Sequence, residues 1–275
     1  MASATDSVLG SVVSLWRYPV KSMMGEELNA ARITERGLVG DRAYALLDTA
    51  TGKVASAKNP RKWPNLFDCR AAFVEPPGAG AKLPPVRLTL PDGDIVTSDE
   101  GNINQVLSKA VGRDVVLETT APSEPGLEEY WPDMAGLAHR ETVTDESLPP
   151  GTFFDCAVVH ALTTATMNRL SGLYPPGRFE VRRFRPNIVV ELVSGEENFV
   201  ENAWIGHTLT IGGEVWLSVT GLCPRCVMTT LAQGDLPRDP SILRTAAQHN
   251  QANVGIYAAV LRGGTVRRGD AIKLL

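Results

Sequence analysis

The sequence predicts a mainly β protein with a few helices, α+β in class, in preference to a doubly wound sheet. Three observations carry this. Short segments with two-residue apolar alternation recur along the whole chain. Turn residues punctuate them, with 25 glycines and 19 prolines in 275 residues. Helical periodicity surfaces in only three places, and neither an internal repeat nor a glycine-rich phosphate loop is present.

In order, Ser11–Tyr18 is strand-like and Pro19 ends it before Lys21-Ser22. Leu28–Thr34 reads as extended, Gly37–Arg42 as a tight turn into Ala43–Asp48, and Asp48–Lys53 as a hairpin connection. Val86–Leu90 and Asp94–Thr97 flank the turn Pro91-Asp-Gly93. The spacing of Ile103, Val106, Leu107, Ala110 and Val111 predicts a helix over Asp99–Val111, stopped by Gly112. From Ala121 to Pro150 the composition changes to seven carboxylates against one arginine, which reads as an acidic surface connection or flap. A strand signal resumes at Phe153–Val159, and Thr163 or Thr164 caps a short helix ending near Gly172. Ile188–Val193, Leu209–Ile211, Glu214–Val219, Val254–Leu261 and Ala271–Leu275 are further strands. Asp239-Pro240 opens a helix with Ile242, Leu243, Ala246 and Ala247 on one face.

With 43% hydrophobic and 21% charged residues and a formal net charge of −4, the composition is that of an ordinary globular protein. Nothing global favours nucleic acid or an acidic membrane, so any anion site must come from local clustering. No apolar run nears the ~20 residues that span a bilayer, and Met1–Asp6 carries no basic end before an apolar core. A cytoplasmic location is expected, and four cysteines fit a reducing compartment.

Chemistry concentrates in Thr220–Thr230, where Gly221 and Pro224 are expected to break a strand and Cys223 and Cys226 flank Arg225. A cation beside a thiol favours the thiolate, the nucleophilic and metal-binding form. Zinc, a redox dithiol and simple packing remain open, although zinc wants four ligands and a dithiol pair wants a βαβ context. Cys69 and Cys156 lie in apolar runs and are expected to be buried and inert. Alternation places Arg183 and Arg185 on one side, beside Asn187, where they present forks to an anion; Arg182 reads as solvated. Lys21, Arg42, Lys58, Arg61 and Lys62 are first-half cations able to complete such a pocket at a domain junction.

Tyr18-Pro-Val-Lys-Ser22, Gly37–Arg42, Gly151–Asp155, Arg183–Val189, Arg225–Thr230 and Gly269-Asp270 together resemble the molybdenum-cofactor sulfurase C-terminal (MOSC) domain family. The form resembled has an N-terminal β-barrel domain and includes the mitochondrial amidoxime reducing component and its bacterial relatives. The resemblance implies an N-terminal β-barrel-like domain over 11–120 packed against a MOSC-type β-barrel over 121–275, with 121–150 as the acidic connection. It implies a molybdenum-pyranopterin cofactor with Cys226 as metal ligand and catalytic residue. Lys21, Ser22, Arg42, Thr163, Thr164, Arg185, Asn187 and Arg225 are the implied cofactor contacts. Pro224 stands where relatives often have serine and brings no amide proton, and Lys58 stands where arginine is common. The implied activity is reduction of an N-hydroxylated or N-oxide-type small-molecule substrate with electrons from a separate donor protein. A non-enzymatic carrier of cofactor or sulfur is the alternative.

Overall fold

The computed structural model describes residues 8–137 and 139–275; Met1–Asp6, read above for a targeting signal, lies outside them. Its centre is a closed β-barrel. Gly10–Arg17, Ala271–Leu274, Thr208–Ile211, Val215–Pro224, Asn253–Arg262, Val159–Thr163 and Ile188–Leu192 pair in that order, and Ile188–Leu192 pairs back onto Gly10–Arg17. Six of these pairings are antiparallel. The parallel one, Val159–Thr163 with Ile188–Leu192, needs a crossover, supplied by helix α1 (Thr164–Leu173). Alternate residues of each strand fill the interior, among them Val12, Leu15, Ile188, Val190, Leu209, Ile211, Leu217, Ile256 and Ile272. Closure leaves these strands no open edge within the barrel.

The first strand of the chain therefore belongs to the carboxy-terminal barrel. Ala30–Thr34 likewise pairs with Gly264–Arg267, so the two expected units interleave at the amino terminus. The rest of the first unit is a second core around Val20, Leu46, Trp63, Leu66, Phe73, Leu88 and Leu107. Its strands pair as separate small sheets: Arg70–Phe73, Val86–Thr89 and Ile95–Thr97 form a meander, and Ala45–Asp48 pairs with Val115–Glu118. The helix expected over Asp99–Val111 runs Ile103–Val111, burying Ile103, Leu107 and Val111; Gly112 ends it at φ 73°.

Three local expectations are corrected. Phe153–Phe154 and the residues up to Val158 form no strand, which starts at Val159. Their backbone turns instead to serve side chains, Lys21 Nζ donating to Phe153 O at 2.6 Å. Gly221 does not break the ladder: the strand runs through it with register shifts at Val219/Gly221 and Leu222/Pro224, and ends at Pro224. Bulges absorb a residue without ending the pairing, and proline sits at the strand end, where no donor is required. Finally, the acidic connection carries an antiparallel hairpin, Gly126–Trp131 with Thr142–Ser147.

Candidate cofactor pocket

A cavity of about 470 Å³ opens where the barrel end, the first unit and the acidic hairpin meet. From the first unit it is lined by Lys21, Ser22, Arg42 and Lys58, and from the barrel side by Arg185, Asn187, Arg225 and Cys226. Thus seven of the residues singled out as cofactor contacts or metal ligand converge on it. Thr163 and Thr164 do not line it. Thr163 is fully buried, caps helix α1 by accepting from Thr166 N at 3.1 Å, and donates to Glu201 Oε2 at 2.6 Å.

The anchors are held by backbone. Lys21 Nζ, 5% exposed, also meets Asp155 Oδ1 at 3.0 Å. Burial lowers its pKa, and Asp155 opposes that shift. Asp155 lines the cavity, and its side chain is 38% exposed. Burial resists its ionisation, yet Lys21 and Lys58 hold its carboxyl well below the usual range. Arg42 pairs with Asp41, which also accepts from Tyr18 N at 2.7 Å and from Asn187 Nδ2 at 2.9 Å. Asn187 spends its amide on the protein, since Oδ1 accepts from His160 N. Arg185 Nη1 donates to Met23 O at 2.6 Å, and the Tyr18 ring lies between the Arg42 and Arg185 guanidinium groups at 4.5 and 4.2 Å. Burial, reinforced by Arg42, pushes Arg185 down to about 10.

Alternation misplaced one arginine. Val181–Phe184 is a helical turn, α2, not a strand, so Arg183 and Arg185 diverge. Arg183 is fully buried behind the cysteine loop and donates to the carbonyls of Arg178, Thr229, Leu231 and Pro237. Arg185 ends the turn at φ 53° and faces the cavity. Arg182, as expected, pairs at the surface with Glu180 and Asp235. Six described non-glycine residues have positive φ, and five of them line this cavity: Ser22, Arg42, Arg185, Gln251 and Ala252. Each such backbone costs of order 1–3 kcal/mol and persists only where surrounding structure enforces it, a pattern typical of binding sites.

The two thiols of Cys-Pro-Arg-Cys have different fates. Cys223 is fully buried at the end of a barrel strand, and Arg225 Nη1 donates to its sulfur at 2.6 Å. Cys226 stands half-buried on the cavity wall. The expected partner cation therefore serves Cys223. Burial, with Glu129 nearby, pushes the Cys226 thiol up to about 12, against the opposing fields of Lys58 and Arg225. Arg225 Nη2 donates to Phe184 O, its backbone N–H goes to Ala252 O, and its buried Nε has no partner among the described residues. Cys69 is buried as expected, whereas Cys156 is exposed and lines the cavity. Tyr257 lines the cavity beside Cys156. Of the other first-half cations, Lys58 reaches the cavity, between Glu129 (3.0 Å) and Asp155 (3.6 Å). Arg61 and Lys62 are engaged elsewhere, by Glu141, Asp48 and Glu128. The wall that sequence reasoning missed is the acidic hairpin, with Glu129, Trp131 and Glu146; within a solvated-looking acidic stretch, only the paired aromatics Tyr130-Trp131 hinted at burial.

Residues 9–105 match the model of the MOSC N-terminal beta barrel domain, and residues 149–273 match that of the MOSC domain. The chain belongs to the MOSC family. Among MOSC relatives, mitochondrial amidoxime reducing component 2 of Rattus norvegicus is 25% identical over 96% of this chain and 83% of its own length. Mitochondrial amidoxime-reducing component 1 of Homo sapiens is 24% identical over 97% and 83%. Molybdenum cofactor sulfurase of Solanum lycopersicum is 25% identical over 91% of this chain but 33% of its own length.

The pocket of this chain suits an anionic group. Lys21, Arg42, Lys58, Arg185 and Arg225 outnumber the lining carboxylates Glu129, Glu146 and Asp155, and the Arg225 Nε proton has no partner among the described residues. Among the described residues no three His, Cys, Asp or Glu side chains gather as a metal site. A metal at Cys226 therefore needs further donors brought by a cofactor, as dithiolene sulfurs are.

Proposed function

We propose that the chain is a molybdenum-cofactor-binding oxidoreductase that reduces N-hydroxylated or N-oxide-type small molecules with electrons from a separate donor protein. The observation that carries this reading is the placement of Cys226 on a cavity where two buried guanidinium groups, Arg185 and Arg225, have no carboxylate partner among the described residues, an arrangement that suits a phosphate. The names of the amidoxime-reducing relatives, covered over 83% of their length, support the reaction class.

The cofactor, when bound, supplies the two-electron chemistry. The chain's own residues do the rest. Cys226 Sγ is the metal ligand, and its high thiol pKa means that metal binding must displace the proton. Arg225, Arg185, Arg42 and Lys21 hold the phosphate and polar pterin edges, and Pro224 leaves one amide donor out of that set. Arg183, by tying the carbonyls of Thr229 and Leu231, fixes the loop that carries Cys226.

The test is product formation, followed by chromatography, from a small N-hydroxyamidine supplied with a strong artificial donor such as reduced viologen. Molybdenum-loaded wild type turns over, Cys226→Ser does not, and NADH alone supports little because no nucleotide fingerprint follows a strand. Fully loaded wild type that reduces none of several N-hydroxylated substrates overturns the reductase and leaves the carrier.

A further inference from the structure

The two faces of the cavity carry opposite charge. One holds Lys21, Arg42, Arg185 and Arg225; the other is the hairpin, with Glu129, Trp131 and Glu146. Lys58 neutralises Glu129 at 3.0 Å. Glu146 has no lysine or arginine partner among the described residues, and its side chain is held by Thr144, whose hydroxyl donates to Oε1 at 2.6 Å. The Thr144 hydroxyl oxygen in turn accepts from Trp131 Nε1 at 2.8 Å. One threonine thus orients an indole and a carboxylate that both line the cavity, and Glu146 Oε2 has no partner among the described residues.

An aromatic face beside an unneutralised carboxylate is the recognition chemistry of a planar cation: the ring quadrupole attracts the charge, and the carboxylate accepts two parallel N–H donors. We propose that Trp131 and Glu146 form a cation-selecting subsite, which takes the amidinium- or guanidinium-type group that the reaction generates and disfavours anions. The proposal rests on the reductase reading and sharpens it. Reduction of an N-hydroxyamidine consumes two electrons, from the donor protein, and three protons; the N–O bond breaks, and the products are water and an amidinium ion. Positive charge therefore appears on the organic molecule as the reaction proceeds, and the hairpin is where this cavity is built to receive it. The cationic wall cannot do so, because its groups repel that charge.

Isothermal titration calorimetry of the cofactor-loaded full chain compares benzamidine, a planar cation, with benzamide, its neutral counterpart, at neutral pH. Benzamidine is expected to bind about tenfold more tightly. Glu146→Gln brings the ratio below about threefold, and Glu146→Lys inverts it. Glu146 is half-buried on a surface hairpin, so neither change loads a core position. Equal affinities in the wild type, or a ratio that neither substitution moves, overturn the subsite. Because titration needs no turnover, the two readings fail separately. A protein that reduces nothing but keeps the tenfold ratio retains the subsite and loses the reductase; an active protein with a ratio of one loses only the subsite.

Discussion

The cationic wall and the hairpin wall enclose the same cavity but are built on opposite terms. Arg185 and Lys21 are each 5% exposed, their charged ends fixed by main-chain carbonyls far away in sequence, and Ser22, Arg42 and Arg185 hold left-handed backbone. On the hairpin, Asp145 is 73% exposed and meets Lys53 at the surface, and two side-chain hydrogen bonds set Trp131 and Glu146. The difference teaches where this molecule invests stability. A buried cation is expensive to desolvate, so every one must be over-determined by its surroundings until an anion arrives. A half-exposed carboxylate costs little, so the hairpin can be reshaped without unfolding the barrel.

The largest effect expected from that contrast is on metal content. Cys226→Ser should abolish stoichiometric molybdenum, while Cys223→Ser, whose sulfur faces Arg225, should leave most of it. Elemental analysis of both variants decides, and equal losses would make the two thiols one site. Next comes the support behind the cationic wall. Arg183→Met keeps the volume but strands the four carbonyls that Arg183 holds, which should cost about 3–5 kcal/mol in denaturant unfolding. Lys53→Met, which removes the surface ion pairs with Asp145 and Glu128 on the hairpin, should shift the midpoint hardly at all; comparable losses would dissolve the contrast.

Somewhat smaller than the loss expected for Arg183→Met is a pH dependence. His160 sits beneath Asn187, 6% exposed, and burial, helped by Arg225, pushes it down to about 3. The unfolded chain takes up this proton below about pH 6.5 and the folded chain only near pH 3, so stability is full above pH 6.5 and falls as the pH drops through that window. By pH 4.5 the loss from this group should reach about 2–3 kcal/mol, and His160→Gln should remove that share of the difference between unfolding curves at pH 7.5 and 4.5. A wild-type-like pH difference in the variant would show that His160 is protonated in the fold.

The sequence by itself determined the fold class and most of the barrel. Alternation in Gly10–Arg17, Thr208–Ile211, Val215–Pro224 and Asn253–Arg262 is a local consequence of a pleated strand with one buried face, and local patterns survive in sequence. The motifs around Lys21, Arg42, Arg185 and Cys226 were likewise legible, because each is contiguous. Tertiary structure alone decided what those residues face. Arg183 and Arg185 parted because one helical turn and a left-handed residue replaced a strand. Arg225 went to Cys223, because the bulged strand carries that sulfur inward and releases Cys226 to the cavity. The acidic hairpin became a wall, because its partners lie in segments distant along the chain, and no periodicity within a stretch records what the fold will lay against it. Charge and register are written residue by residue; proximity across the chain is set by packing.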